Sequence, residues 1–260
     1  DFNTANALFS LAHDCRRPEL FRPQIFAAME LFARGDFDPA TTTGAWAGEI
    51  GQVQMLPADI IENGVDGDGD GQVTLKTSAV DALMSGGKML QSLGWRAGEP
   101  WLQEVTVPDD LDWSITGLHE KRSVGEWASL GISGRTGPLG PSGLEASVLL
   151  PMGRNGPAFL AYPNFEVYFE WNQSLVYVTT AAYFATRIMG APVYDAGNPD
   201  PGLSGEEVEA LQRKLAARGH DVGGIDGILG AMTRAAIRAE QERLGLPVDA
   251  WPTRALLDRL

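Results

Sequence analysis

The sequence predicts a mainly helical α+β protein, with a main domain that carries a small β-containing insertion and a small three-helix C-terminal domain behind it. Three observations predict this. Apolar residues recur at helical spacing in both the first and last parts of the chain. Strand-like runs are confined to 95–162. The stretch 191–203, APVYDAGNPDPGL, holds prolines and glycines without periodicity and reads as a linker. The expected bounds are therefore 1–190 for the main domain, 191–203 for the linker and 204–260 for the small domain.

In chain order, helices are predicted over 4–15 and 19–34, where Leu8, Leu11, Phe21, Ile25, Phe26, Met29, Leu31 and Phe32 are read as core. Gly35 and Pro39 punctuate the exit. A third helix follows over 79–93 and is stopped by Gly94. Within 95–162, WLQEVTV and LEASVLL read as strands, and Ser123-Val-Gly-Glu126 is a capping box for a short helix through Leu130. Asn155-Gly156 between two apolar runs signals a hairpin. Ser174 can cap a helix whose Val178, Ala181, Ala182, Ala185, Ile188 and Met189 are read as a buried stripe, with Trp171, Asn172 and Tyr177 at its start. In the small domain Ser204-Gly-Glu-Glu207 is a second capping box, for a helix to Arg218 stopped by Gly219. The turn GGIDGILG leads to a helix over 231–244, and Pro252 suits the first turn of a last short one.

Acids outnumber bases 34 to 20, for a formal charge of −14, and the bases form no stripe. Nucleic acid and an anionic membrane surface are thereby excluded as expected partners. No apolar run is long enough to span a membrane. The single cysteine, Cys15, excludes an internal disulfide and reads as a buried thiol. His13, His119 and His220 show no metal-binding spacing, and no G-x-S-x-G supports a serine triad. The first residue, Asp1, falls inside a helical pattern with no methionine before it, which reads as a processed or truncated product.

The chemistry concentrates in 44–81. Trp46, Glu49, Gln52 and Gln54 stand among Gly44, Gly48 and Gly51, a composition that suits a sugar-binding cleft because backbone can approach a ligand closely there. Next, Asp66-Gly-Asp68-Gly-Asp70-Gly71-Gln72 matches the start of a calcium loop, with glycine at its sixth position. The twelfth position is Thr77, which supplies no bidentate carboxylate, so Asp81 is the candidate to close an enlarged loop. The candidate metal ligands are Asp66, Asp68, Asp70, Gln72 and Asp81, with calcium as the cation and no organic cofactor. The alternative is a solvated Asp/Gly turn.

AGEIGQVQMLP followed by DGDGDG resembles the cleft segment and calcium loop of family 3 lytic murein transglycosylases, the membrane-bound B type. PNFEVYFEWNQSLVYVTTAAYFATRI is similar to that family's later helix entry, and 204–260 resembles a small peptidoglycan-binding domain. The resemblance implies a lysozyme-like main domain. It also implies cleavage of the MurNAc–GlcNAc β-1,4 bond with a 1,6-anhydro end, a periplasmic location with any anchor before Asp1, and peptidoglycan strands and cell-wall assembly proteins as partners. Gln54, Asn172 and Tyr177 match substrate-contacting positions, with Trp171 and Gln52 as weaker additions. Asp226-Gly-Ile-Leu-Gly230 and Thr233 match the small domain's turn, a shallow surface for wall peptide or glycan.

In the family one glutamate acts as acid and then base, and its G-x-E-T-like motif is not found in this sequence. No catalytic residue is carried over. The acid is expected upstream of Asp1, with Glu49 as the substitute if the reaction is instead a water-based muramidase. Ala45, Trp171 and Ala239-Glu240-Gln241 also depart from the family pattern. They leave open a non-catalytic scaffold that holds peptidoglycan.

Overall fold

The computed structural model describes residues 2–14 and 18–260. Cys15, expected as a buried thiol, lies outside the described residues. The chain forms two compact units, one ending at Trp95 and the other spanning Arg96–Leu260.

In the first unit β1 (Phe2–Asn3) runs into α1 (Thr4–His13), α2 (Pro18–Arg34) follows, and β2 (Thr43–Gly44) returns to pair antiparallel with β1. Asn3 accepts the Asn6 N–H at 3.0 Å and donates to the Pro39 carbonyl at 3.0 Å, so one side chain caps α1 and ties down the returning loop. Leu8, Ala12, Phe21, Ala28 and Ala47 make the core. Phe26 and Met29, expected there, are 72% and 57% exposed. The buried face of α2 is centred on Gln24, Ala28 and Leu31. At about 100° per residue Phe26 and Met29 lie about 200° and 140° round from Gln24. Approximate spacing concealed two faces. Next come α3 (Pro57–Asn63), not anticipated in the sequence, and α4 (Ala79–Ser92), capped by Ser78.

The second unit opens with β3 (Leu102–Thr106), β4 (Lys121–Ser123), α5 (Val124–Ser129), β5 (Ser133–Gly134), β6 (Glu145–Leu149) and β7 (Ala158–Ala161). They form an antiparallel sheet in the order β4-β6-β7-β3-β5. Successive strand residues face opposite ways. Val105, Val148 and Leu160 join Trp127 of α5 on one face, while Leu102, Leu149 and Phe159 meet the following helices, α6 (Pro163–Trp171) and α7 (Leu175–Ile188), on the other. Because both faces are covered, LEASVLL shows no clean alternation.

The expected hairpin forms between β6 and β7, with Val148 opposite Leu160. Its turn is longer than Asn155-Gly156: the chain spans 150–157, and Gly153, at φ 75°, takes the left-handed position. The stripe on α7 also shrinks. Val178 and Ala182 are buried, Ala181 and Ala185 are half-buried, and Ile188 and Met189 are exposed. The buried pair meets the sheet face and the last turn runs past it. Trp171 ends α6 and Asn172 caps it, so only Tyr177 of the expected trio lies at the start of α7.

The tail comprises α8 (Gly205–Ala217), α9 (Ala231–Arg243) and α10 (Arg254–Arg259) around Leu211, Leu215, Ile237 and Leu256. Thr253 caps α10, so Pro252 stands one residue before the cap and outside the first turn. Two buried glutamines fasten the loops. Gln212 accepts the N–H groups of Asp226 and Gly227, both at 3.0 Å, and donates to Asp226 Oδ1, the Ile228 carbonyl and Thr233 Oγ1. Gln241 donates to Asp249 Oδ1 and the Trp251 carbonyl and accepts the N–H of Ala250, whose φ is 58°.

The tail is seated on the sheet by arginines. Arg234 Nη2 donates to the Pro151 carbonyl at 2.6 Å, and Arg238 donates to the carbonyls of Ser114, at 2.8 Å, and Thr116. Burial lowers the Arg234 guanidinium to about 10, against the pull of Asp249. Residues 191–203 carry no helix or strand, yet they are pinned: Asp195 N–H donates to Glu104 at 2.7 Å, Asn198 N–H to the Asn155 carbonyl at 2.8 Å, and Trp251 Nε1 to the Asp200 carbonyl at 2.8 Å.

Three tail carboxylates are held below their usual range, Glu207 first by the hydrogen bond from the Ser204 N–H. Glu240 owes this first to hydrogen bonds from Arg243, then to His220, against burial, and Asp226 first to the Ile228 N–H, then to Gln212. A depressed folded value means a stabilising contribution fully present above the unfolded range, about pH 4 to 4.5, and lost as pH falls through the folded values. Thermal melts followed by circular dichroism should be flat in this contribution above about pH 5 and lose it below about pH 4.

Candidate functional site

The residues singled out in the sequence fall in both units. In the first, the turn after β2 is closed by paired bonds between Ile50 and Met55, N···O 2.8 and 3.1 Å, which bury both side chains. The turn thereby presents Gln52 and Gln54 on the surface. Gln52 is held against the next loop, its N–H on the Leu75 carbonyl at 3.0 Å. Gln54 sits at φ 50°, in the left-handed region that a residue with a Cβ occupies at a cost of about 1–2 kcal/mol. Trp46 is 63% exposed on the same loop.

The glycines of this loop serve the protein's own packing. At Gly48, φ 85°, a Cβ would lie 2.6 Å from Leu8, and at Gly51, φ 81°, 2.5 Å from Leu75. At these two positions the close approach is to neighbouring segments of the protein. Glu49 turns back on its own loop, Oε2 accepting the Ala47 N–H at 3.1 Å.

The acidic loop folds onto the start of α4. Carboxylate oxygens of Asp66, Asp68 and Asp81 lie within 4.8 Å of one another. Asp81 is 0% exposed: Oδ1 accepts the Gly67 N–H at 2.9 Å and Oδ2 the Thr74 N–H at 2.8 Å. Burial pushes its carboxyl up, and hydrogen bonds from Thr74, Gly67 and Ser78 outweigh that to hold it below the ordinary value. Asp66 accepts the N–H groups of Gly69, Asp70 and Gly71, and Asp68 accepts Ser78 Oγ at 2.7 Å. The carboxylate of Asp70 is not among the three; its Oδ1 takes the Gln72 N–H at 2.9 Å. Three converging carboxylates repel one another, and their hard oxygen donors suit a calcium ion. The donor set fits that cation.

Ser78 was not singled out in the sequence. It accepts the Asp81 N–H at 3.2 Å while donating to Asp68, joining the helix cap to the acidic loop. The spacing Ser78-x-x-Asp81 is the capping signal that could have found it.

In the second unit α6 and α7 meet at a break held by Asn172, whose N–H donates to the Tyr168 carbonyl at 3.1 Å while Oδ1 accepts the Ser174 N–H at 2.9 Å. Ser174 in turn accepts the Tyr177 N–H. Trp171 and Asn172 are half-buried at the junction, and Tyr177 is 58% exposed. Asn164, buried at the start of α6, bonds the N–H and carbonyl of Arg96 and the carbonyl of Glu99, a fastening role not seen in the sequence. His13 and His119 are exposed, and His220 bonds Glu240 at 2.8 Å.

Residues 1–186 match the family model described as the transglycosylase SLT domain, and residues 204–260 match that of the putative peptidoglycan binding domain. The membrane-bound lytic murein transglycosylase B of Escherichia coli (strain K12) is 26% identical over 162 residues, which are 62% of this chain and 44% of that protein. The chain thus spans under half the length of that relative. The crystal structure of SltB3 from Pseudomonas aeruginosa in complex with NAG-anhNAM-pentapeptide is similar with a TM-score of 0.85 at 42% identity, covering 100% of this chain and 70% of that one. Escherichia coli Slt35 in complex with calcium is similar with a TM-score of 0.59 at 26% identity, covering 71% and 60%.

Proposed function

Since the chain belongs to the transglycosylase SLT family, we propose that it is the substrate-holding part of a periplasmic lytic transglycosylase that cleaves the MurNAc–GlcNAc β-1,4 bond of peptidoglycan. In that reaction an acid protonates the leaving oxygen as the glycosidic C–O bond breaks, and the muramic acid's 6-hydroxyl forms the new bond to the anomeric carbon. The same carboxylate takes the hydroxyl proton, so no water is consumed. The domain reading is kept as 1–190, 191–203 and 204–260, with the two family matches in its support.

Gln54 carries this reading. A strained backbone at an exposed glutamine, in a turn fixed by the bonds between Ile50 and Met55, marks a functional position. Its amide is the right chemistry for sugar hydroxyl and acetamido groups. On the second unit Asn172, Tyr177 and Trp171 supply an amide, a phenol and a stacking face, and Gln52 adds a second amide beside Gln54. Gln54→Gly relieves the strain and Gln54→Ala keeps it. The glycine variant is expected to melt at or above the alanine variant, by up to about 1 kcal/mol. Both should retain fewer sacculi than the parent in pelleting assays.

Calcium is held by Asp66, Asp68 and Asp81 and acts on stability, with Asp70 and Gln72 drawn in only when the cation is present. No acid is assigned in this reading; Glu49, whose Oε2 accepts the Ala47 N–H, stays the weaker alternative. Mass spectrometry of muropeptides released from purified sacculi tests the whole reading. The chain extended at its N-terminus should release anhydro-muramic acid ends, and Glu49→Gln in that version should change the rate by less than about twofold. Reducing ends would overturn the transglycosylase reading, and sacculus binding without products from either version would leave a scaffold.

A further inference from the structure

A cavity of about 380 Å³ lies in the second unit, between the sheet, the first turns of α7 and the outer face of α9. Its volume falls within the range of small-ligand sites. Leu118, Leu149, Leu175 and Val176 supply apolar lining, and Arg234 and Arg238 line the cavity from α9, reaching the carbonyls of Pro151, Ser114 and Thr116. Ala231 and Ala235, one helical turn apart, leave the α9 side open.

Two arginines and two acids, Glu120 and Asp249, line the cavity. Among the described residues neither Arg234 nor Arg238 has a carboxylate within ion-pair distance. Their hydrogen bonds go to backbone carbonyls, which accept protons without neutralising charge. Asp249, also engaged by Arg154, Gln241 and the Trp251 N–H, attracts both guanidinium groups at longer range, and the exposed Glu120 attracts that of Arg238. A ligand that is apolar over most of its length and carries one carboxylate complements this arrangement, since guanidinium groups bind carboxylates strongly in a partly desolvated site.

We propose that this cavity is a peptide subsite, taking a short peptide of small apolar residues with its terminal carboxylate against Arg234 and Arg238. The inference rests on the peptidoglycan reading above, because a glycan strand bearing peptides brings such a group to the tail. It places the peptide on the outer face of α9, beyond the turn at 226–230.

Isothermal titration of the whole protein with N-acetyl-trialanine, in its all-L and all-D forms, tests the proposal. The free acid of one form should bind, and its C-terminal amide should bind about tenfold more weakly or worse. Ala235→Phe fills the cavity without removing either arginine and should abolish binding, with a melting temperature within about 2 °C of the parent. If that variant does not fold, Val176→Phe fills the space from α7. Absence of binding, equal affinity for the amide, binding that survives the filled cavity, or tighter binding of octanoate than of the peptide would each overturn it. The titration involves no bond cleavage, so it can fail while sacculi still yield anhydro products, and it can succeed when they do not.

Discussion

Asp81→Ala is expected to destabilise the first unit by about 3–5 kcal/mol and to abolish any response of its melting temperature to calcium. The buried carboxylate accepts two backbone N–H groups, from Gly67 and Thr74, at 2.9 and 2.8 Å. Each buried donor left without a partner costs about 1–3 kcal/mol, and more where the acceptor was charged. The calcium effect is separable. A cation bound only by the folded state adds about 2.7 kcal/mol at one hundred times its Kd. Asp68→Ala removes an exposed ligand that bonds Ser78 and the Asp70 N–H, so it should lose the calcium gain at a much smaller intrinsic cost. Melts with calcium and with a chelator distinguish the two. A calcium response retained in Asp81→Ala would remove the cation site, and a loss under about 1 kcal/mol would show that the two backbone donors find other acceptors.

Gln212→Leu is expected to cost the tail about 3–4 kcal/mol, although it replaces one buried side chain with another of similar volume. The single amide serves the part-buried N–H groups of Asp226 and Gly227 and three acceptors, and leucine removes the side-chain partner of all five. Gln212→Glu keeps an acceptor for those N–H groups but sets a second carboxylate beside Asp226, so it should fall between the parent and leucine and improve as pH is lowered towards about 4. Urea unfolding followed by tryptophan fluorescence, with Trp251 in the tail as reporter, measures the series. A Gln212→Leu variant within about 1 kcal/mol of the parent would mean that the 226–233 turn holds its shape without this amide.

These cases also mark what was legible in the sequence. Helices with a side-chain cap at Ser123, Ser174 and Ser204 were read close to their observed bounds, because the cap writes itself into a few adjacent residues, whereas α4 was bounded from its Gly94 stop without its Ser78 cap being seen. α3, with 7 residues, and β5, with 2, are too short for a period to show. The faces of the sheet were not legible because both are buried, and the exposure of Phe26 and Met29 depended on angles that approximate spacing does not resolve. In the acidic loop the convergence of Asp66, Asp68 and Asp81 followed from motif spacing, whereas the place of Asp70 depended on which N–H its carboxylate takes. Gln212 and Gln241 left no signal, since a buried glutamine in a helix looks in sequence like any polar surface residue. Arg234 and Arg238 were invisible for the same reason.

The pinned segment 191–203 has a mechanical consequence. A flexible tether of that length would first straighten under load and let its cargo drift. Here Asp195, Asn198 and Asp200 are held at separate points along the segment, and α9 grips the carbonyls of Ser114, Thr116 and Pro151 through two rigid forks. A pull on the tail therefore reaches the sheet directly, as tension along a stiff strut with no slack to take up.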